Sequence, residues 1–291
     1  DDDAARLLGV VSGRADANFN PNAPQAYHAA KEGKTKLVGT MNAGWPLKSD
    51  VAITTRKGSG LADALTLDKL FSHVRNQFSM DAHIHALARR PRVLIMASKH
   101  GHCLNDLLFR WRSGWLPVDI PAIVSNHPDY AELAASYGIP FHHMALPTGS
   151  PAEVKRAQEQ QVEALVSDEA VDLVVLARYM QILSPEFCAF LKGRAINIHH
   201  SFLPSFKGAK PYYQAHARGV KLIGATAHYV TSDLDEGPII EQDVARVDHT
   251  LEPEDLTAMG RDVECVVLAR AVKWHTEHRV LMNGHKTVVF R

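Results

Sequence analysis

Apolar and polar positions follow a regular order from residue 91 onward. Short apolar runs, typical of strands buried on both faces, alternate with stretches whose apolar residues recur at helical spacing. Leu104, Leu107 and Leu108, for example, form one stripe of a helix. The predicted strands are 92–97, 120–125, 141–146, 171–177, the segment around Asn197, 222–230 and 238–247. The predicted helices are 102–111, 128–137, 151–166, a helix that Ser184 caps, 211–218 and 256–278.

This alternation predicts the fold class. Strands that take turns with helices indicate an α/β domain with a doubly wound, mostly parallel sheet. At the end of the chain, Asn283 and Gly284 join two short strands as a predicted type I′ hairpin.

Polar residues in two predicted strands are the strongest candidates for chemistry. Ile196 and Ile198 alternate with polar residues, so an extended strand places Asn197 and His199 on one face. The strand over 222–230 leads into an aspartate-rich turn that contains Asp235. An amide, an imidazole and a carboxylate can stabilise an oxyanion, move a proton and orient the group that moves it. The alternative is that these polar residues simply hydrogen-bond one another within the core.

Composition narrows the class of protein. Apolar residues make up 46% and charged residues 22% of the 291 positions, as in ordinary globular proteins. Lys and Arg balance Asp and Glu at 32 each, so nothing favours nucleic acid or an anionic membrane as a partner. No apolar run approaches the roughly 20 residues of a membrane span, and no basic-then-apolar leader opens the sequence. We therefore expect a cytoplasmic protein.

Cofactor and metal signals are weak. The three cysteines are far apart, and the 17 histidines show no metal-ligand spacing, so we expect neither a disulfide framework nor a metal site. The turn after the first parallel strand, residues 98–102, lacks the Gly-x-Gly-x-x-Gly pattern. Dinucleotide binding is accordingly disfavoured.

From about residue 67 onward the sequence resembles formyltetrahydrofolate deformylase, a hydrolase related to glycinamide ribonucleotide formyltransferase. The resemblance lies in the runs 92–96, 101–108, 122–127, 174–183, 195–204 and 224–230, and in the Leu-Asp-x-Gly-Pro turn of 234–238. It implies a formyltransferase-like, Rossmann-related catalytic domain over 89–291.

The resemblance also implies roles for particular residues. Asn197, His199 and Asp235 match the catalytic trio, in which the amide and the protonated imidazole donate to an oxyanion while Asp235 holds His199 or the attacking water. Composition alone leaves either Asp233 or Asp235 as the carboxylate. The substrate-binding residues are then Met180, Gln181, Ile182, Leu183, Val230 and Asp233. The expected reaction converts 10-formyltetrahydrofolate and water to tetrahydrofolate and formate, supplying purine and one-carbon metabolism, with no cofactor. We also expect a homo-oligomer.

Other functions stay open at this point. A transferase that formylates glycinamide ribonucleotide or another amine is the main alternative. Lys99, His100 and His102 occupy the turn where such transferases carry small residues that hold a phosphate, and this favours water as the acceptor. A folate- or amino-acid-binding protein without chemistry and a solute-binding protein of a transporter are the remaining classes.

The N-terminal region, residues 1–88, is predicted as a separate small α+β region. Residues 67–88 resemble the end of an ACT regulatory domain, with a helix over 70–80 and a strand over 82–85. Residues 1–66 instead resemble a fragment of an amino-acid-type solute-binding protein. The sequence therefore does not predict control by glycine or methionine, which an intact ACT domain implies.

Overall fold

A computed structural model describes residues 17–20, 36–43, 49–55, 72, 76–77, 81–82, 89–147, 149–203 and 211–290. The chain divides into two compact units, Asp1–Arg89 and Arg90–Arg291. No helix among the described residues combines the length and the apolar character needed to cross a membrane.

The first unit contains an antiparallel sheet. Its described strands are β1 (Ala17–Asn20), β2 (Lys36–Ala43), β3 (Ser49–Thr55) and β4 (Asp81–Ala82), in the spatial order β1-β3-β2-β4. The helix predicted over 70–80 and the strand predicted over 82–85 lie mostly outside the described residues. The resemblances stated for 1–66 and 67–88 stay predictions.

The second unit is built on a sheet of seven described strands. They are β5 (Val93–Ala97), β6 (Ile123–Ser125), β7 (Phe141–His143), β8 (Leu173–Ala177), β9 (Ala195–His199), β10 (Leu222–Tyr229) and β11 (Ile239–Arg246). Their order is β11-β10-β9-β8-β5-β6-β7. The neighbours from β7 to β9 are parallel, whereas β10 runs antiparallel to both β9 and β11. The prediction of a doubly wound, mostly parallel sheet is confirmed.

Helices cover both faces of this sheet. They are α1 (His102–Arg112), α2 (Ala131–Ser136), α3 (Ala152–Asp168), α4 (Pro185–Phe190), α5 (Pro211–Ala217) and α6 (Pro253–Thr276). Within β5, Val93 and Ile95 pack in the same core cluster as residues of α1, α2 and α6. Leu94 and Met96 pack on the opposite face with residues of α3 and α4. Strand side chains alternate between faces, so one continuous apolar run supplies both cores.

Two local predictions have different outcomes. Ser184 caps α4 as predicted, because its side chain accepts a hydrogen bond from the backbone N–H of Phe187. The predicted type I′ turn is wrong. Strands β12 (Val280–Asn283) and β13 (Lys286–Val289) pair Asn283 with Lys286, and of the two residues between them only Gly284 has a positive φ, whereas type I′ requires two.

The strand order indicates a ligand-binding position at the carboxyl ends of the parallel strands. The chain builds β5, β6 and β7 in one direction and then returns to place β8 and β9 on the other side of β5. Open α/β sheets bind ligands at the carboxyl ends of strands near such a reversal. Arg178 follows β8 at this edge, and His199 ends β9 beside it.

Candidate active site

Strand β9 aims two polar side chains at the site. Ile196 and Ile198 are buried in the core cluster that includes α6 residues, whereas Ala195 belongs to the opposite cluster. Asn197 and His199 therefore lie on the Ala195 side, as the alternation predicts.

Antiparallel pairing of β9 with β10 adds a second histidine. His228 lies directly across from Asn197 in the register, and its Nε2 is 3.3 Å from Asn197 Nδ2. Its Nδ1 lies 2.9 Å from the carbonyl oxygen of Tyr229 and donates to it. Because Nδ1 donates to this carbonyl, Nε2 is the His228 nitrogen that faces the Asn197 amide.

The turn after β10 brings Asp235 to these side chains. Asp235 has φ +58°, a left-handed conformation that aspartate tolerates better than most residues. Gly237 packs so closely on the β10 backbone that a Cβ there would lie 1.7 Å from the carbonyl oxygen of Tyr229. The tethered turn places Asp235 Oδ2 3.1 Å from His199 Nδ1 and Oδ1 3.6 Å from His228 Nε2. Asp235 Oδ1 also lies 3.5 Å from Asn197 Nδ2, a contact at the long limit of hydrogen bonding.

These contacts control the charge of Asp235. Burial alone raises its pKa, but the hydrogen bonds and charges of His199 and His228 outweigh burial and hold the pKa well below its usual range. The ionised carboxylate accepts the Nδ1–H of His199, which leaves His199 Nε2 as the nitrogen available for proton transfer. That Nε2 is buried and makes no hydrogen bond within the described residues.

A cavity of about 270 Å³ joins the site to the surface. All nine residues predicted for the site line it: Met180, Gln181, Ile182, Leu183, Asn197, His199, Val230, Asp233 and Asp235. Apolar side chains, 54% exposed at Met180 and 64% exposed at Ile182, form part of its wall. Asp233 is exposed, whereas Asp235 contacts His199, so the geometry separates the two carboxylates that composition left open.

A second polar cluster surrounds Glu264 of α6. This side chain is only 1% exposed, and its carboxylate lies 2.7 Å from His102 Nε2, 2.7 Å from the Tyr212 hydroxyl and 3.4 Å from Arg178 Nε. Burial raises the pKa of Glu264, yet the hydrogen bond with His102 and the charge of Arg178 lower it overall. Glu264 is thus a buried, ionised carboxylate with its partners in place.

The same cluster contains the one group of potential metal ligands found among the described residues. Atoms of His102, Cys103 and Glu264 lie within 4.8 Å of one another. Both Glu264 oxygens are engaged, however, and the guanidinium of Arg178 repels a cation. The donor set therefore fits a hydrogen-bonded cluster better than a metal centre.

The turn after β5 holds the three residues expected there, but only one of them points into the protein. Lys99 and His100 are exposed, whereas His102 turns inward to Glu264. Of the three residues expected to crowd this turn, only His102 shows a buried polar contact of this kind.

The comparisons with known proteins fit this architecture. A family model described as "Formyl transferase" matches residues 91–272. The formyltetrahydrofolate deformylase of Corynebacterium sp. (strain P-1) is 53% identical over 231 residues, which cover 79% of this chain and 79% of that protein. This chain belongs to the formyltetrahydrofolate deformylase family.

Solved structures place the chain within that family more finely. The formyltetrahydrofolate deformylase of Burkholderia mallei superposes with a TM-score of 0.80 at 52% identity, over 92% of this chain and 94% of that one. Glycinamide ribonucleotide transformylase 1 of Symbiobacterium toebii is more distant, with a TM-score of 0.65 at 29% identity over 72% of this chain and 98% of that one. The deformylases are thus the nearer group.

Three site residues of this family member were missed by the sequence analysis. His228 and Arg178 line the cavity, as does His200, whose ring stacks on His199 with 5.0 Å between centroids. Burial, together with the charge of Arg178, lowers the pKa of His200 to about 4, so its ring is neutral at pH 7. For His228 the sequence does contain a signal of a site residue, because it is a histidine within a predicted apolar strand.

Proposed function

We propose that this chain hydrolyses 10-formyltetrahydrofolate to tetrahydrofolate and formate, with Asn197, His199 and Asp235 as its catalytic residues. The observation that carries the proposal is the pairing of His199 Nδ1 with Asp235, which leaves a buried Nε2 on a cavity-lining ring. A histidine held in this way by a carboxylate is suited to take a proton from water and return it.

This geometry supports the following reaction. Water attacks the formyl carbon, and His199 Nε2 accepts the proton that the water loses while Asp235 stabilises the imidazolium. The former carbonyl oxygen becomes an oxyanion, to which Asn197 Nδ2 and the imidazolium donate. Each such donor lowers a barrier by about 3 kcal/mol. The long contacts of Asn197, 3.3 Å and 3.5 Å, cost little to exchange for the oxyanion.

Collapse of the tetrahedral intermediate completes the reaction. The C–N bond breaks, N10 takes the proton held by His199, and the hydroxyl from water stays on the one-carbon unit. The formic acid so formed ionises to formate. No electron transfer is involved, and we propose that neither a cofactor nor a metal takes part.

The rest of the cavity accommodates the folate. We propose that Met180, Ile182 and Leu183 pack against the pterin ring, with Gln181 beside them and the loop from Val230 to Asp235 across it. Exposed apolar side chains at the wall of a partly polar cavity are typical of small-molecule sites. We further propose that the protein is a cytoplasmic homo-oligomer and that its products enter one-carbon metabolism and purine biosynthesis.

The test measures formate release from 10-formyltetrahydrofolate by the full chain, with and without glycinamide ribonucleotide. We expect formate at the same rate in both reactions and no formylated ribonucleotide. Formate at background level, together with formylation of the ribonucleotide, would instead establish a transferase.

A further inference from the structure

Buried polar atoms without a hydrogen-bond partner are found at one place in the described residues. They are Arg178 Nε, Arg178 Nη1 and His199 Nε2, and both residues line the same cavity. Buried polar groups in folded proteins are nearly always hydrogen-bonded, so each exception calls for an explanation. His199 Nε2 is explained by proton transfer, but the proposed mechanism gives Arg178 no role.

The backbone at Arg178 is held in an unfavourable conformation. Its φ is +61°, in the left-handed region that costs a residue with a side chain roughly 1–2 kcal/mol. Strain of this kind is concentrated at active sites and ligand clamps, where the surrounding structure maintains it.

The strand register places Arg178 at the same end of the sheet as His199. Leu176 of β8 is paired with Asn197 of β9, and Arg178 lies two residues beyond Leu176, just as His199 lies two beyond Asn197. Adjacent strands are about 4.8 Å apart. Arg178 thus follows β8 at the end of the sheet where His199 ends β9, and both residues line the cavity.

Glu264 positions the guanidinium from outside the cavity. Glu264 does not line the cavity, but its carboxylate lies 3.4 Å from Arg178 Nε. It belongs to α6, which packs on the face of the sheet opposite to α3 and α4. The Glu264 carboxylate also binds His102 and Tyr212. It contacts the Arg178 guanidinium through Nε and leaves Nη1 without a hydrogen-bond partner. The Arg178 side chain is 11% exposed and permanently charged, and its Nη1 is left for another acceptor.

We infer that Arg178 is the product-binding residue for formate, whose carboxylate it holds once the formic acid released by C–N cleavage has ionised. This rests on the proposed function, which supplies formate in the cavity. The planar guanidinium is the side chain that best matches a carboxylate, and hydrogen bonds between the two ions are among the strongest in proteins. The same cation disfavours a protonated amine as acceptor at this end of the cavity, which leaves the position to water.

A carboxylate can also come from the glutamate tail of the folate. We assign Arg178 to the one-carbon unit rather than to the tail, because it lines the same cavity as His199 and follows β8 at the end of the sheet where His199 ends β9. The two sources are distinguished by probing with sodium formate alone and by comparing substrates with one and with several glutamates.

Two substitutions make the test robust to folding defects. Arg178→Gly removes the guanidinium and relieves the positive φ, because glycine adopts this conformation without strain. Arg178→Lys keeps the charge but loses the planar fork. The matched control is Arg270→Met, which removes a surface guanidinium paired with Asp243 and 44% exposed.

The measurements are the inhibition constant of formate against 10-formyltetrahydrofolate and the binding of ¹³C-labelled formate to each full-length variant by NMR. We expect Arg178→Gly to raise both the inhibition constant and the dissociation constant of formate roughly tenfold or more, the scale of one lost charge-assisted hydrogen bond. Arg178→Lys should lie between Arg178→Gly and wild type, and Arg270→Met should match wild type. Any change in KM that Arg178→Gly causes should be the same for the substrate with one glutamate and the substrate with several.

The outcomes separate this inference from the proposed function. If wild type releases formate but Arg178→Gly, folded as judged by its thermal unfolding, binds formate as wild type does, Arg178 is not the product-binding residue. A KM that rises only for the polyglutamate substrate assigns Arg178 to the folate tail and overturns the inference too. If wild type releases no formate, the proposed function itself fails, whatever the NMR titration shows.

Discussion

His199 Nδ1 lies 3.1 Å from Asp235 Oδ2, although the two residues come from different elements, the end of β9 and the turn after β10. The contact fixes which imidazole nitrogen carries the proton and which one is available to a substrate. Asp235 reaches it only because its backbone adopts φ +58° and Gly237 lets the turn pack on Tyr229.

Replacing the carboxylate tests that contact. Asp235→Asn keeps a side chain that tolerates the left-handed backbone but removes the charge that stabilises imidazolium. We expect kcat for formate release to fall by about 10²- to 10⁴-fold while folate binding, measured by fluorescence quenching, is retained. Asp233→Asn is the matched control at an exposed position of the same turn. Equal losses in the two variants would contradict the assignment of Asp235.

Asn197→Ala tests the oxyanion donor. Loss of one preorganised donor lowers kcat by about 10²- to 10³-fold and leaves KM nearly unchanged, because the interaction forms mainly in the transition state. Steady-state formate release gives both constants. Near-normal turnover would remove Asn197 from the mechanism.

His228→Phe tests the residue that the strand register adds to the site. The ring volume is retained, but Asn197 and Asp235 each lose a nitrogen neighbour, at 3.3 Å and 3.6 Å respectively. We expect kcat to fall by roughly tenfold or more, the scale of one lost hydrogen bond to a charged group, with the fold intact by circular dichroism. An unchanged kcat would show that His228 only fills space.

Stability should depend on pH through His275. Burial lowers its pKa from 6.5 to about 4 in the folded protein, and its Nδ1 lies 2.7 Å from the Tyr229 hydroxyl. Between pH 6.5 and pH 4, His275 is therefore protonated in the unfolded chain but neutral in the folded protein. The free energy of unfolding consequently falls as pH falls.

Urea titrations across that window measure the effect. His275→Gln, which keeps an acceptor for the Tyr229 hydroxyl, should show a shallower slope than wild type. His285→Gln, at an exposed position, serves as the control. Identical slopes in wild type and His275→Gln would exclude His275 as the source.

Removal of metal ions should leave the activity unchanged. The ligand atoms of His102, Cys103 and Glu264 lie within 4.8 Å of one another, but Glu264 is already bound by His102 and Tyr212. Dialysis against a chelator, followed by elemental analysis and the formate assay, checks this. A loss of activity that one added divalent metal restores would contradict the hydrogen-bonded assignment.

Local patterns predicted much of the fold and part of the site. The alternation of Ile196 and Ile198 with polar residues was sufficient to place Asn197 and His199 on one face, because strand periodicity is a local property. Asp235 came from the resemblance of its turn to a family motif, since nothing in the spacing distinguishes it from Asp233.

The missed features depend on long-range geometry. His228 faces Asn197 only through the antiparallel register of β9 and β10, which strand and helix alternation does not reveal. Arg178 becomes a site residue through a positive φ and a contact with Glu264 on α6, far along the chain. Side-chain periodicity carries no information about either.

Isotope incorporation from water tests the central claim most directly. The reaction is run in ¹⁸O-labelled water with 10-formyltetrahydrofolate and the full chain, and the formate is analysed by mass spectrometry against a reaction without enzyme. Hydrolysis at the Asn197, His199 and Asp235 site predicts enzyme-dependent formate that carries one ¹⁸O atom per molecule. Consumption of the substrate without labelled formate above the control would contradict water as the acceptor.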